Sequence, residues 1–187
     1  MDSSHWYGTD PAWFIPFDRN AFRRFGRHIS VDYVWDTEQV ASACVTRMSC
    51  GRRVGPDVGP DVDVVTPIRR YCLDGVSVKG RPEPVPVRID FVPHRYFTND
   101  RAWPGQDFPK VYAGAMEASP HRYADGALCL YYPGDPVEQR WTSAQGLTAL
   151  LVLVAEHLFF EDVFRKTKEW IGPQAEHGFP SERRKAA

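Results

Sequence analysis

No stretch of this chain is apolar for long enough to span a bilayer. The most apolar run, Leu147 to Phe160, is broken by Thr148, Glu156 and His157, and it falls short of the roughly 20 residues a spanning helix needs. A buried helix is expected there, and no membrane span. Charge of one sign is not in excess either. The 23 Lys and Arg residues against 24 Asp and Glu leave a formal net charge of −1, so no global field favours nucleic acid or an anionic membrane. The four cysteines, Cys44, Cys50, Cys72 and Cys129, form no C-x-x-C pair, and the start Met1-Asp-Ser-Ser-His-Trp6 has neither a basic region nor an apolar run. Those two absences predict a cytoplasmic protein with free thiols. A Gly-rich phosphate loop and an adenylating module are missing as well. Cys129, His121, His157 and His177 fall at spacings that match no usual zinc pattern, so neither metal nor cofactor is expected.

What is present suits one packed core of α+β class. The chain has 187 residues, 43% of them hydrophobic and 13% aromatic, and its 16 prolines and 14 glycines predict many loops. Residues 1–35 are rich in aromatics, from Trp6, Tyr7 and Trp13 to Tyr33 and Trp35, and read as an extension that packs on the core. Within it, Arg19 to Arg27 predicts a short amphipathic helix with Phe22 and Phe25 on one side. Asp36 with Gln39 reads as the cap of a helix over Thr37 to Met48. Gly-Pro-Asp-Val then occurs twice, at Gly55 and Gly59, which is far too short for a structural repeat.

From Val62 the texture changes to strands. Val62 to Val78 and Val85 to Val92 flank a Gly/Pro turn cluster, and after a loop from Pro93 to Asp107 a third strand is expected over Phe108 to Met116. These make an antiparallel meander. Thr142 and Gln145 form a capping box ahead of a helix carrying Leu147, Leu150, Leu151, Val154 and Leu158 at helical spacing. A second helix, Glu161 to Trp170, is expected to stop at Gly172-Pro173. The main domain is taken as residues 36–180, and 181–187 as a frayed basic tail.

One thiol stands out. Cys129 closes the segment His121-Arg-Tyr-Ala-Asp-Gly126-Ala-Leu-Cys129-Leu130, where Gly126 lets the backbone turn and display the cysteine from a loop. A thiolate is both a strong nucleophile and a good leaving group, so it can accept an acyl group as a thioester and pass it to an amine without a metal. The transfer needs a proton acceptor and donors for the developing oxyanion, and His121, Asp125 and His177 are the candidates. Each also has a structural reading: Asp125-Gly126 is a turn dipeptide, His121 can brace the loop, and Trp141 is expected to pack beneath it.

The order of these pieces resembles the ubiquitin-conjugating enzyme fold, in its divergent bacterial branch, from about Tyr71 to His177. The carrying residues are Pro109-Lys110-Val111, then His121, then Gly126-x-x-Cys129-Leu130, then Trp141-Thr142, and finally Trp170-Ile-Gly172-Pro-Gln-Ala-Glu176-His177, which resembles the bacterial branch alone. The resemblance implies an α+β, UBC-like fold: an antiparallel meander flanked by N-terminal and C-terminal helices, with the active-site cysteine in a loop after the sheet. It further implies that Cys129 carries the C-terminal carboxyl of a protein as a thioester and transfers it to an amine. The implied partner is a cGAS-like nucleotidyltransferase of a CBASS antiphage operon, or a ubiquitin-like protein, whose acyl group arrives from a separate activating enzyme or from an already activated substrate. The eukaryotic His-Pro-Asn is absent, because His121 is followed by Arg122-Tyr123, so no residue inherits the Asn role by position. Two other readings stay open: an inactive adaptor of the same fold, and a deconjugating hydrolase using Cys129 with His121 or His177.

Overall fold

The computed structural model describes residues 7–34, 68–92, 96–97, 102–114 and 119–173. The capped helix expected over 37–48, the Gly-Pro-Asp-Val pair, Cys44, Cys50, His177 and the basic tail lie outside the described residues.

The first helix, α1, spans Pro11–Phe25. It starts eight residues ahead of the expected Arg19, because Asp10 and Pro11 supply a complete start signal. The Asp10 Oδ1 accepts from the Ala12 N–H at 2.9 Å, and Pro11 occupies a first-turn position whose N–H would be unpaired in any case. Phe17 and Ala21 point into the core, whereas Phe22 is 45% exposed. Gly26, at φ 56°, ends the helix.

Strand β1, Ile29–Val34, was not anticipated, although Ile29-Ser-Val31-Asp-Tyr33 alternates as a half-buried strand should. The meander continues through β2 (Ile68–Val76) and β3 (Val85–Phe91). A two-residue hairpin of β4 (Tyr96–Phe97) and β5 (Ala102–Trp103) interrupts the loop expected over 93–107, and β6 is Lys110–Ala113. The main sheet is antiparallel throughout, in the order β1, β2, β3, β6. The expectation of Phe108 to Met116 for the third strand was too long at its start. Pro109 has no N–H to give to the ladder, so pairing begins at Lys110.

The other correction concerns the C-terminal half. The capping box is present, with the Thr142 N–H donating to the Gln145 side chain at 2.9 Å. It opens one 22-residue helix, α2 (Gly146–Thr167), not two. No break occurs at Glu161 because its side chain is consumed by partners across the core. The helix ends at Lys168, which adopts φ 63° and donates its N–H to the Phe164 carbonyl at 2.8 Å, so Gly172-Pro173 is not the stop. Among the described residues, no helix is long and apolar enough to cross a membrane.

Leu150, Val154 and Leu158 of α2 pack with Tyr71, Ile89, Phe91 and Trp141 in a single core. A polar anchor joins α1 to the sheet. The Arg69 guanidinium, 3% exposed, bonds Asp18 of α1, Tyr33 of β1 and the Tyr71 hydroxyl, and lies 4.5 Å from the centre of the Phe14 ring. Each of the three guanidinium nitrogens donates to an acceptor, which is what makes burial of the cation tolerable.

Lys168 holds a left-handed conformation that a side chain disfavours by about 1 kcal/mol and glycine adopts freely. Lys168→Gly is therefore expected to raise stability by up to about 1 kcal/mol, read as a higher urea midpoint at unchanged slope.

Candidate active site around Cys129

Cys129 is displayed by a tight hairpin. The Tyr123 and Cys129 N–H groups donate to the Ala127 and His121 carbonyls at 2.8 and 2.9 Å, and the Gly126 N–H to the Tyr123 carbonyl at 2.9 Å. Gly126 sits at φ 82°, which closes this turn without a Cβ penalty. The Leu128 N–H reaches the Val111 carbonyl at 2.8 Å, so the hairpin hangs from β6. The stretch is thus a local ladder rather than an open loop.

Two side chains fix its tilt. Asp125 accepts from the Ala127 N–H at 3.1 Å with Oδ1, and Lys110 Nζ lies 2.5 Å from Oδ2. Burial would push the Asp125 carboxyl up, but the Lys110 and Ala127 hydrogen bonds outweigh it and hold the carboxyl below its ordinary range. Arg122 points the other way, into the protein. Its Nε and Nη2 bind both Glu161 oxygens of α2 at 2.6 and 2.8 Å, and the guanidinium also donates to the Gly126 and Ala113 carbonyls. Both partners are buried, with side chains 6% and 0% exposed. For Glu161 too, burial acts upward first, yet Arg122 and His157 bring its pKa down to about 2.

The thiol lies at the wall of a cleft of about 360 Å³, lined among others by His121, Trp141, Glu156, His157 and Trp170. A second depression of about 370 Å³ is lined by Lys110, Tyr123, Asp125 and Leu128, and the two share Leu130 and Tyr131. Burial raises the Cys129 thiol pKa, and a hydrogen bond from the Tyr123 side chain pulls it part of the way back. A thiol made less acidic in this way gives, once deprotonated, the more nucleophilic thiolate.

Trp170, on the segment after α2, lies against the His121 ring, tilted by 34° with centroids 4.3 Å apart, and meets the His157 ring edge-on at 5.3 Å. Gly172 lets this segment close down, since a Cβ there would stand 2.4 Å from the Phe160 ring. The loop after the cysteine is tied at Asp107, which accepts from both the N–H and the hydroxyl of Ser143 at 2.8 Å and faces the Arg140 guanidinium at 3.6 Å. Trp141 is 1% exposed and donates its indole N–H to the Gly146 carbonyl at 3.0 Å. It supports the start of α2 and the floor of the cleft.

His121, Cys129 and Trp141 therefore share one cleft, Gly126 makes the turn, and Asp125 lines the neighbouring depression. Sequence reasoning gave no place to Tyr123 at the thiol or to the Arg122–Glu161 brace, and it weighed His157 for zinc rather than for the cleft. One signal was available, because Glu161 continues the buried stripe Leu150, Val154, Leu158, where a carboxylate requires a cationic partner. Among the described residues no group of three His, Cys, Asp or Glu side chains is arranged to hold a metal ion.

Residues 107–178 match the family model of the Type II CBASS E2 protein. The matched span contains the Cys129 hairpin, both depressions, all of α2 and the Trp170 segment, while α1 and β1 to β5 lie outside it. No curated protein and no solved structure matches the chain.

Two measurements follow from this E2-matching region. Alkylation of Cys129 by iodoacetamide is expected to climb at a pH above that of an ordinary thiol, and Tyr123→Phe moves the midpoint higher still. Because the Glu161 pKa is depressed, its stabilisation is complete above about pH 4.5 and lost as pH falls toward about 2. Glu161→Gln should flatten acid unfolding over that window and cost about 3 kcal/mol at neutral pH, read by urea denaturation, because it leaves the Arg122 charge buried without its counterion.

Proposed function

We infer that this chain is an E2-like acyl carrier of a CBASS antiphage system: Cys129 takes the C-terminal carboxyl of a partner protein as a thioester and hands it to an amine. The observation that carries the reading is the coincidence of the Type II CBASS E2 match with Cys129, a half-buried thiol held at the wall of a cleft within the matched span. The hairpin is pinned to β6 and to α2, and a thiol held in this way would orient an acyl group carried on it. The partner in this reading is a cGAS-like nucleotidyltransferase with a free C-terminus, and a separate enzyme activates its carboxyl.

The raised thiol pKa fits a carrier loaded from an activated donor better than a hydrolase with a resting thiolate. An acyl donor that is already activated supplies the driving force, and the less acidic thiol makes the stronger attacking thiolate. In a hydrolase of the papain type an imidazolium beside the sulfur lowers its pKa, whereas among the described residues the Tyr123 hydrogen bond lowers the Cys129 thiol without offsetting its burial.

The test is intact-mass analysis of the protein co-expressed with the products of its neighbouring genes. A Cys129 adduct with the mass of a neighbour minus water, removed by dithiothreitol, is the expected result. Cys129→Ala should abolish it; persistence of the adduct in that variant would refute the assignment.

A further inference from the structure

Arg140 is a buried cation without a hydrogen bond to any described residue. Its side chain is 6% exposed, and it lines the same cleft as Cys129. Nε and Nη1 are enclosed with no acceptor, and Nη2 has none among the described residues either. Arg69 and Arg122, similarly enclosed, are bonded quite differently. The first donates to Asp18, Tyr33 and Tyr71, and the second to Glu161 and two backbone carbonyls. Enclosed donors left unpaired cost stability unless something completes their bonding.

Charge is not what Arg140 lacks. Asp107 Oδ2 stands 3.6 Å from Nη1, near enough to balance the cation but too far for a hydrogen bond. The other oxygen of Asp107 is taken by both Ser143 donors. The guanidinium carbon also lies 4.9 Å from the centre of the Phe108 ring, a contact that favours a cation. The remaining charged side chains along the cleft are Asp135, Glu138 and Glu156, the last two exposed. An anionic ligand would meet those carboxylates, whereas a neutral oxygen would meet donors that need an acceptor.

We propose that Arg140 binds a peptide carbonyl of the chain acylated on Cys129, so that the cleft holds the tail of the carried protein by its backbone. The proposal rests on the thioester reading above and adds to it the group that the cleft recognises. An extended chain advances about 3.3 Å per residue, with successive residues facing opposite ways. One carbonyl near the end of the tail therefore meets the guanidinium and its immediate neighbours do not. A contact of this kind reads the backbone, and it selects for an extended tail rather than for a charged one.

Glycine-terminated pentapeptides as mercaptoethanesulfonate thioesters are the probe. Cys129 attacks the thioester carbon and the sulfonate thiol leaves, so loading needs no activating enzyme. Loading is followed by intact mass against peptide concentration, with each peptide bond in turn replaced by a trans-alkene, which keeps the shape and removes the carbonyl. One replacement should raise the half-saturating concentration by about tenfold, the worth of a hydrogen bond to a charged group, with the rate at saturation unchanged. Arg140→Met and Arg140→Gln, of different polarity to guard against a folding defect in either, should bind the parent peptide about tenfold more weakly and load it and that alkene peptide alike. No sensitive position in the wild type, or the same sensitivity retained in the variants, overturns the assignment of Arg140. Tighter binding of a peptide with glutamate in place of glutamine, lost in the variants, overturns it too and makes the subsite one for carboxylates. The thioester reading stands in each of these cases. A wild-type protein that no peptide loads overturns both.

Discussion

A buried arginine and a buried glutamate hold the site to the rest of the molecule. Arg122 lies in the hairpin that presents Cys129, and Glu161 lies four turns into α2, with the core between their backbones. Neither charge could remain there alone, since the desolvation cost of each is met by the other, by the carbonyls of Gly126 and Ala113 on the Arg122 side and by Arg165 on the Glu161 side. The pair therefore fixes a distance: the hairpin must sit where Arg122 reaches Glu161. Because Cys129 is bonded back to His121, next to Arg122, the same constraint locates the thiol. Hydrophobic packing alone would bring α2 onto the sheet but would not set the hairpin on α2 with this precision.

The same carboxylate has a second neighbour in His157, so one group serves the brace and the cleft. Around it the polar groups are arranged by depth. Arg122 and Glu161 are fully interior, His121 and His157 line the cleft, and Asp125 and Lys110 lie at the surface. Asp125 is spent on the turn and on Lys110, and His157 stands against Trp170 with Nε2 3.6 Å from Glu161. Trp170 joins the two histidines into a continuous aromatic wall, possible only because Gly172 lets the segment after α2 approach Phe160.

Much of the fold was legible from local signals. The alternation in Val85 to Val92, the Thr142 and Gln145 box and the Leu147 to Leu158 stripe all act over a few residues, and each is present where the sequence put it. The errors share a cause. Helix α1 was begun late because the basic cluster outweighed Asp10-Pro11, and α2 was cut at Glu161 because a carboxylate in an apolar stripe reads as a boundary until its partner 39 residues away is known. β1 was hidden among aromatics whose surroundings depend on β2.

By itself the sequence determined which thiol would be presented and by what kind of turn, since Asp125-Gly126 and the glycine's freedom are properties of the chain over a handful of bonds. The tertiary structure decided what stands beside that thiol. Whether His157 is core or cleft, whether Arg122 is solvated or paired, and whether the cysteine is acidic or not depend on distances between segments far apart in the chain, and electrostatic effects in a protein interior follow distance and burial, not sequence separation.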